Sequence, residues 1–312
     1  MPRYSLPRLV LTSGDALSPA ILEYSTWGTL NEQGDNCIVI GHAMTGSQDV
    51  QDWWPGLVGP NNVPDCKEEA RDAALSKESV DPLIRSHNGE AARSSPGAFA
   101  IDTTKYFVFC ANILGSPYGS SSPLSIDERT GKCYGPDFPL TNTRDDAQLQ
   151  LHALAHLGVK SIACALGGSM GGMLVLELAL AACAAEGPSP RIPVRTLMPI
   201  ASTLTSSSWI MGWNEIQRAA IQMDPAFDEG RYCWQMRRFL RCEATQALGN
   251  GGEKVVVLGI PTDRLFAFSE QQDMARFLDS ELCAIESMDG HDAFLIKRDL
   301  VASKIEQLLC VS

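Results

Sequence analysis

Paired cysteines, a surplus of positive charge and long apolar runs are all missing from this 312-residue chain, and each absence excludes something. The ten cysteines (Cys37, Cys66, Cys110, Cys133, Cys164, Cys183, Cys233, Cys242, Cys283, Cys310) are scattered without a C-x-x-C pair. That scatter argues against a disulfide framework and against a metal site of the zinc type. Most stand in apolar runs such as Phe107-Val108-Phe109-Cys110, where a thiol packs as a small hydrophobe, so they read as reduced thiols of an intracellular protein. A formal charge of −12 sets up a field that repels polyanions, and neither nucleic acid nor an anionic membrane surface is expected as a partner. No stretch is apolar for long enough to span a bilayer. The opening Met1-Pro2-Arg3-Tyr4-Ser5-Leu6-Pro7 lacks both an apolar h-region and an Arg-rich amphipathic pattern, and Cys310-Val311-Ser312 is not a peroxisomal tripeptide. The expected compartment is the cytosol. Internal repeats and heptad arrays are absent too, and histidine is scarce: His42, His87, His152, His156 and His291 are the whole supply.

What is present is a rhythm. Short apolar, β-rich runs recur at Cys37–Ile40, Tyr106–Ala111, Ser161–Leu166, Thr196–Ile200, Val255–Ile260 and Leu282–Ile285, separated by helical patterns, which predicts an α/β fold built on a mostly parallel sheet. Thr143–Leu157 carries Ala147, Leu149, Leu151, Leu154 and Leu157 among polar residues and ends at Gly158, the pattern of a crossover helix. Two segments break the rhythm. Residues 60–96 are rich in Asn, Pro, Asp, Glu, Ser and Arg and read as a polar surface insertion. Residues 204–252 separate two strands by far more than an ordinary connection and read as a cap over a site. The expected division is a core of residues 1–203 and 253–312 with 204–252 as a short helical cap; 45% hydrophobic content suffices for one large core.

Chemistry is carried by Gly167-Gly168-Ser169-Met170-Gly171-Gly172. It follows the run Ser161–Leu166 and precedes the helical Met173–Ala182, so G-x-S-x-G stands in the strand–turn–helix context of a nucleophile elbow, the mark of the α/β-hydrolase fold. The small residues have a steric reason, because strand and helix must approach closely while the hydroxyl points outward. A Gly-rich turn of this kind also cradles phosphates, and the bare pattern arises by chance. A nucleophilic serine needs a base. His291 follows Met288-Asp289-Gly290 after the last strand, where this fold delivers its base. His152 and His156 lie at i and i+4 on the crossover helix and read as surface residues, His87 lies in the polar insertion, and His42 is assigned a loop-shaping role. The carboxylate should fall between serine and histidine in chain order, and Val255–Ile260 leads to Asp263, which would hold the imidazole tautomer; its alternative is a helix N-cap before Arg264–Phe277. An oxyanion hole needs two backbone N–H groups: Met170 after the serine, and Met44 in Gly41-His42-Ala43-Met44-Thr45-Gly46-Ser47, a stretch that otherwise reads as a simple strand-ending turn.

Taken together, several segments resemble the homoserine O-acetyltransferase family, particularly its fungal type. They are Tyr24-Ser25-Thr26-Trp27-Gly28-Thr29-Leu30-Asn31-Glu32, Gly41 to Ser47, Trp53-Trp54, Asn112 to Ser120, Tyr134 to Pro139, Gly167 to Met173, Asn214-Glu215-Ile216-Gln217-Arg218 and Gly290-His291-Asp292-Ala293-Phe294-Leu295. The resemblance implies a ping-pong reaction in which Ser169 takes an acetyl group from acetyl-CoA, a co-substrate rather than a resident cofactor, and passes it to the γ-hydroxyl of homoserine on the way to methionine. It implies that Asp292 meets the substrate ammonium; by itself that residue reads equally as a surface carboxylate. Family members often dimerise through lid helices, so a homodimer is the assembly the resemblance carries. Their long lid also supplies an arginine for the homoserine carboxylate, and Arg237, Arg238 and Arg241 are the candidates here, with a solvated helix face as their alternative. The interval from Ser169 to Asp263 is short for that family, and much of the lid is missing.

Three functional readings follow. One is an acetyl-CoA-dependent O-acetyltransferase acting on homoserine or another small alcohol. Another is a serine esterase or thioesterase with the same three residues, which a shortened cover favours because acyl transfer must outrun hydrolysis. The third is an inactive, lid-deleted relative that keeps only the fold. Neither acetyl versus succinyl as donor nor the acceptor's identity is written in these motifs.

Overall fold

All six apolar runs become strands of one sheet in the computed structural model, which describes residues 1–61, 98–183, 189–223 and 254–311. The sheet begins with β1 (Arg3–Leu6) and β2 (Ala20–Trp27), neither of which the apolar rhythm reveals. The predicted strands follow: β3 (Cys37–Gly41), β4 (Phe107–Ala111), β5 (Ile162–Gly168), β6 (Thr196–Ile200), β7 (Lys254–Gly259) and β8 (Glu281–Ala284). Their spatial order is β1-β2-β4-β3-β5-β6-β7-β8. The pairs from β4 to β8 are parallel, whereas β1 with β2 and β2 with β4 are antiparallel. This is the expected α/β-hydrolase architecture.

A central parallel strand must be apolar on both faces because helices cover both. In β3, Cys37 and Val39 belong to one core cluster while Ile38 and Ile40 belong to the other, the period-two consequence of the pleat. On the first face lie α2 (Thr143–His156) and α3 (Met170–Cys183), whose Leu149, Leu151, Leu154, Leu174 and Leu178 fill that cluster. On the second lie α1 (Val50–Trp53), α6 (Ala293–Ile296) and α7 (Arg298–Val311), contributing Val50, Phe294, Val301 and Ile305, with Trp54 just after α1. Helix α2 starts where its capping box dictates. The Asn142 Oδ1 accepts the N–H groups of Arg144 and Asp145, and Asp145 Oδ2 accepts that of Asn142. The predicted stop, Gly158, has φ +90°.

The two excursions leave the sheet at opposite ends. Most of the first, residues 62–97, lies outside the described residues together with His87, but its two ends are joined. Val58–Gly59 pairs in parallel with Ile101–Asp102, and Asn61 exchanges two hydrogen bonds with the Phe99 backbone, 2.7 and 3.0 Å. This root sits by the N-terminal ends of β3 and β4, since Asn36 bonds to the Lys105 carbonyl and to Phe107 N–H. The second excursion departs from the C-terminal end of β6 and opens with α4 (Ser208–Gln222), a helix within the expected cap. Its remainder, with Arg237, Arg238 and Arg241, lies outside the described residues.

Candidate active site

Parallel α/β sheets bind ligands at the carboxyl ends of their strands, and the predicted residues collect there: Ser169 after β5, Asp263 after β7, His291 after β8, and Met44 after β3. Ser169 has φ +57°, a left-handed conformation for a residue with a side chain, of the kind stored at functional turns at about 1–3 kcal/mol each. The surroundings impose it. Its N–H donates to the Ile200 carbonyl at 2.9 Å, and the Ser202 hydroxyl donates to the Ser169 carbonyl at 3.0 Å. A Cβ on Gly171 would stand 2.0 Å from the Gly41 carbonyl oxygen, and one on Gly168 would stand 2.3 Å from the Phe294 ring. Helix α3 therefore begins at Met170, directly after the serine and three residues before the helical pattern of the sequence.

Ser169, His291 and Asp263 are brought together as the sequence predicts. His291 Nε2 lies 2.9 Å from Ser169 Oγ, and Nδ1 lies 2.8 Å from Asp263 Oδ2. The imidazole is held edgewise between the rings of Phe266 and Phe294, with centroids 5.3 and 5.8 Å away. Asp263 is buried, and both its oxygens are occupied. Oδ1 accepts the N–H groups of Leu265 and Phe266 at 2.8 and 3.0 Å, forming a tight turn. That turn postpones the following helix, so α5 runs Phe268–Phe277 rather than starting at Arg264, and its N-cap is Ala267. The helix-cap alternative for Asp263 is thus replaced by a cap on the turn itself.

One participant escapes sequence reasoning. Gln271, on α5 and fully buried, donates from Nε2 to Asp263 Oδ2 at 3.2 Å and to the Phe266 carbonyl at 2.8 Å, while its Oε1 accepts Ile260 N–H at 2.9 Å. It braces the aspartate against the strand that delivers it. Its position one turn into a helix gives no signal in sequence.

His42 does shape its loop, as predicted. Its buried ring puts Nδ1 2.7 Å from the Ala43 carbonyl and Nε2 3.4 Å from Ile113 N–H. Burial pushes its pKa below the ordinary imidazole range, partly opposed by the bond to Ala43. Met44 is exposed in that loop, Met170 opens α3, and Asp292 is exposed in the short turn Gly290–Asp292 that carries His291. Helix α4 borders the site, because the Trp209 indole donates to the carbonyl of Arg264, next to Asp263. Among the described residues no three His, Cys, Asp or Glu side chains converge on a metal position, and no helix is long and apolar enough to cross a membrane.

Comparison with known proteins agrees with this fold. A family model described as the alpha/beta hydrolase fold matches residues 98–233. Homoserine O-acetyltransferase of Trichormus variabilis is 31% identical over 365 residues, taking in 94% of this chain and 89% of that protein. The chain belongs to the homoserine O-acetyltransferase family. The Saccharomyces cerevisiae homoserine O-acetyltransferase is 41% identical over 227 residues, 73% of this chain, but the chain spans only 38% of that relative's length. The Trichormus alignment runs over 365 positions, more than the 312 residues here, so that relative carries stretches without a counterpart in this chain. Two solved structures share the fold over 99% of the chain, each with a TM-score of 0.74: a homoserine O-acetyltransferase from Bacillus anthracis, 18% identical with 96% of it covered, and esterase E22, 19% identical with 99% covered.

Proposed function

We propose that this chain is an acyltransferase that moves an acetyl group from acetyl-CoA, through an acyl-Ser169 intermediate, to the hydroxyl of homoserine in the cytosol, as a step toward methionine. The observation that carries the reading is the relay of two hydrogen bonds, Asp263 Oδ2 to His291 Nδ1 and His291 Nε2 to Ser169 Oγ, ending on a serine in a strained elbow. Kinship with homoserine O-acetyltransferases supports an acetyl group as cargo and homoserine as acceptor.

In this reading Ser169 Oγ attacks the thioester carbonyl as its proton passes to His291 Nε2, and Asp263 stabilises the imidazolium. The Met170 and Met44 N–H groups receive the oxyanion; Met170 opens a helix whose first-turn N–H groups lie ahead of the intrahelical ladder. Collapse breaks the carbon–sulfur bond, and the thiolate leaves with the proton from His291. The homoserine hydroxyl then gives its proton to His291 and attacks acyl-Ser169, and the second collapse returns the proton to Oγ. Asp292 would pair with the homoserine ammonium.

A shortened cover favours a second reading, in which water takes the acyl group and the protein is an esterase or thioesterase. One assay separates them: CoA release from acetyl-CoA with and without homoserine, with Ser169→Ala alongside. Release that depends on homoserine and yields O-acetylhomoserine supports transfer. Release indifferent to the acceptor supports hydrolysis, and no Ser169-dependent release from thioesters or simple esters leaves an inactive relative.

A further inference from the structure

Among the described residues, the Ala43–Met44 peptide is held from its carbonyl side only. Its carbonyl accepts two hydrogen bonds, one from His42 Nδ1 at 2.7 Å and one from Gly46 N–H at 2.9 Å across a tight turn. Because C=O and N–H of a trans peptide point in opposite directions within one plane, these bonds aim the Met44 N–H away from the imidazole. The imidazole is itself anchored: Nε2 accepts Ile113 N–H, and the next residue, Leu114, donates its N–H to the buried carboxylate of Asp146 on α2 at 2.6 Å. On its other side the loop abuts the elbow, since a Cβ on Gly171 would strike the backbone oxygens of Gly41 and His42 at 2.0 and 3.0 Å.

We propose that His42 is a positioning residue for acyl transfer, which fixes the Ala43–Met44 peptide so that the Met44 N–H is presented to the oxyanion formed at Ser169. The inference rests on the roles proposed above for Ser169 and Met44. It requires the neutral imidazole with its proton on Nδ1, since a proton on Nε2 would face the Ile113 N–H donor.

The test compares wild type, His42→Ala and His42→Asn in three measurements: the burst of Ser169 acetylation from p-nitrophenyl acetate, the affinity for an alkylboronic acid that forms a tetrahedral adduct on serine, and the direction of the Ala43–Met44 peptide in crystal structures. His42→Ala is expected to slow acetylation by about 10²–10³-fold, the loss typical of one oxyanion donor, with KM for the ester little changed and boronic-acid affinity falling in parallel. His42→Asn places an amide N–H where Nδ1–H stood and should retain most of the rate, and it decides the matter if the alanine variant does not fold. Equal losses in both variants, or a rate loss without loss of boronic-acid affinity, would overturn the proposal. So would an Ala43–Met44 peptide that keeps its direction in His42→Ala, whatever the turnover. Absence of Ser169-dependent acetylation in the wild type would instead defeat the functional reading, leaving the peptide direction to decide this one.

Discussion

Asp263 divides its oxygens between two tasks. Oδ1 holds a turn through the Leu265 and Phe266 N–H groups, and Oδ2 faces His291 and Gln271. Removing the glutamine would leave Asp263 Oδ2 with His291 as its remaining partner and the buried Ile260 N–H without its acceptor. Gln271→Leu is therefore expected to lower unfolding free energy by about 1–3 kcal/mol, the desolvation penalty of an unpaired buried group, measured by urea denaturation. No loss would show that the bracing is dispensable. His42 makes a second residue-scale prediction. Its native pKa lies below the ordinary value, so the unfolded chain takes up a proton near pH 6.5 while the native imidazole stays neutral to lower pH. The unfolded state then binds more protons, and stability falls as pH drops from about 6.5 toward the native pKa. Thermal midpoints across that window should decline less steeply in His42→Asn; identical slopes would refute the assignment. Ser169, His291 and Asp263 are legible in the sequence because each follows a recognisable strand in a fixed chain order. Gln271 and the second bond of His42 are not, because most of their hydrogen bonds run to backbone groups that any residue supplies.

At the scale of elements, the approach of α3 to the sheet is set by glycine. The Gly171 site has no room for a methyl group beside the Gly41 carbonyl, whereas Gly212 on the exposed face of α4 has nothing within 4 Å among the described residues. The two substitutions should move stability in opposite directions. Gly171→Ala forces strand and helix apart and is expected to cost about 3 kcal/mol, the upper end of overpacking penalties; Gly212→Ala should gain about 0.4–1 kcal/mol by restricting the unfolded chain. Calorimetry on the pair checks both signs. The elbow's need for small residues is readable in advance because the pattern and its steric cause are local. Strands β1 and β2 are not, because β1 only half-buries alternate residues and the buried positions of β2 do not alternate. Their place is decided by pairing with each other and with β4, a long-range choice that a local pattern does not encode.

For the whole molecule, the two excursions differ in where they are rooted. The ends of residues 62–97 are fastened by Asn61 and by the Val58–Gly59 pairing, near the N-terminal ends of β3 and β4 and away from Ser169. Replacing that stretch with a short Gly/Ser bridge should leave Ser169 reactivity unchanged and stability higher by about 1–2 kcal/mol, the loop-closure entropy of a shorter connection. A drop in the rate of Ser169 acylation would mean that the insertion reaches the site after all. The segment after β6 is different, for α4 is tied through Trp209 to the residue beside Asp263. The sequence locates both excursions by composition and length, but which one bears on chemistry follows from the ends of the strands they leave. The clamp at Asn61 makes the first excursion a grafting port: a fluorescent reporter or an affinity module inserted there would ride on the protein as cargo, with the fold as carrier and Ser169 at the opposite ends of the strands undisturbed.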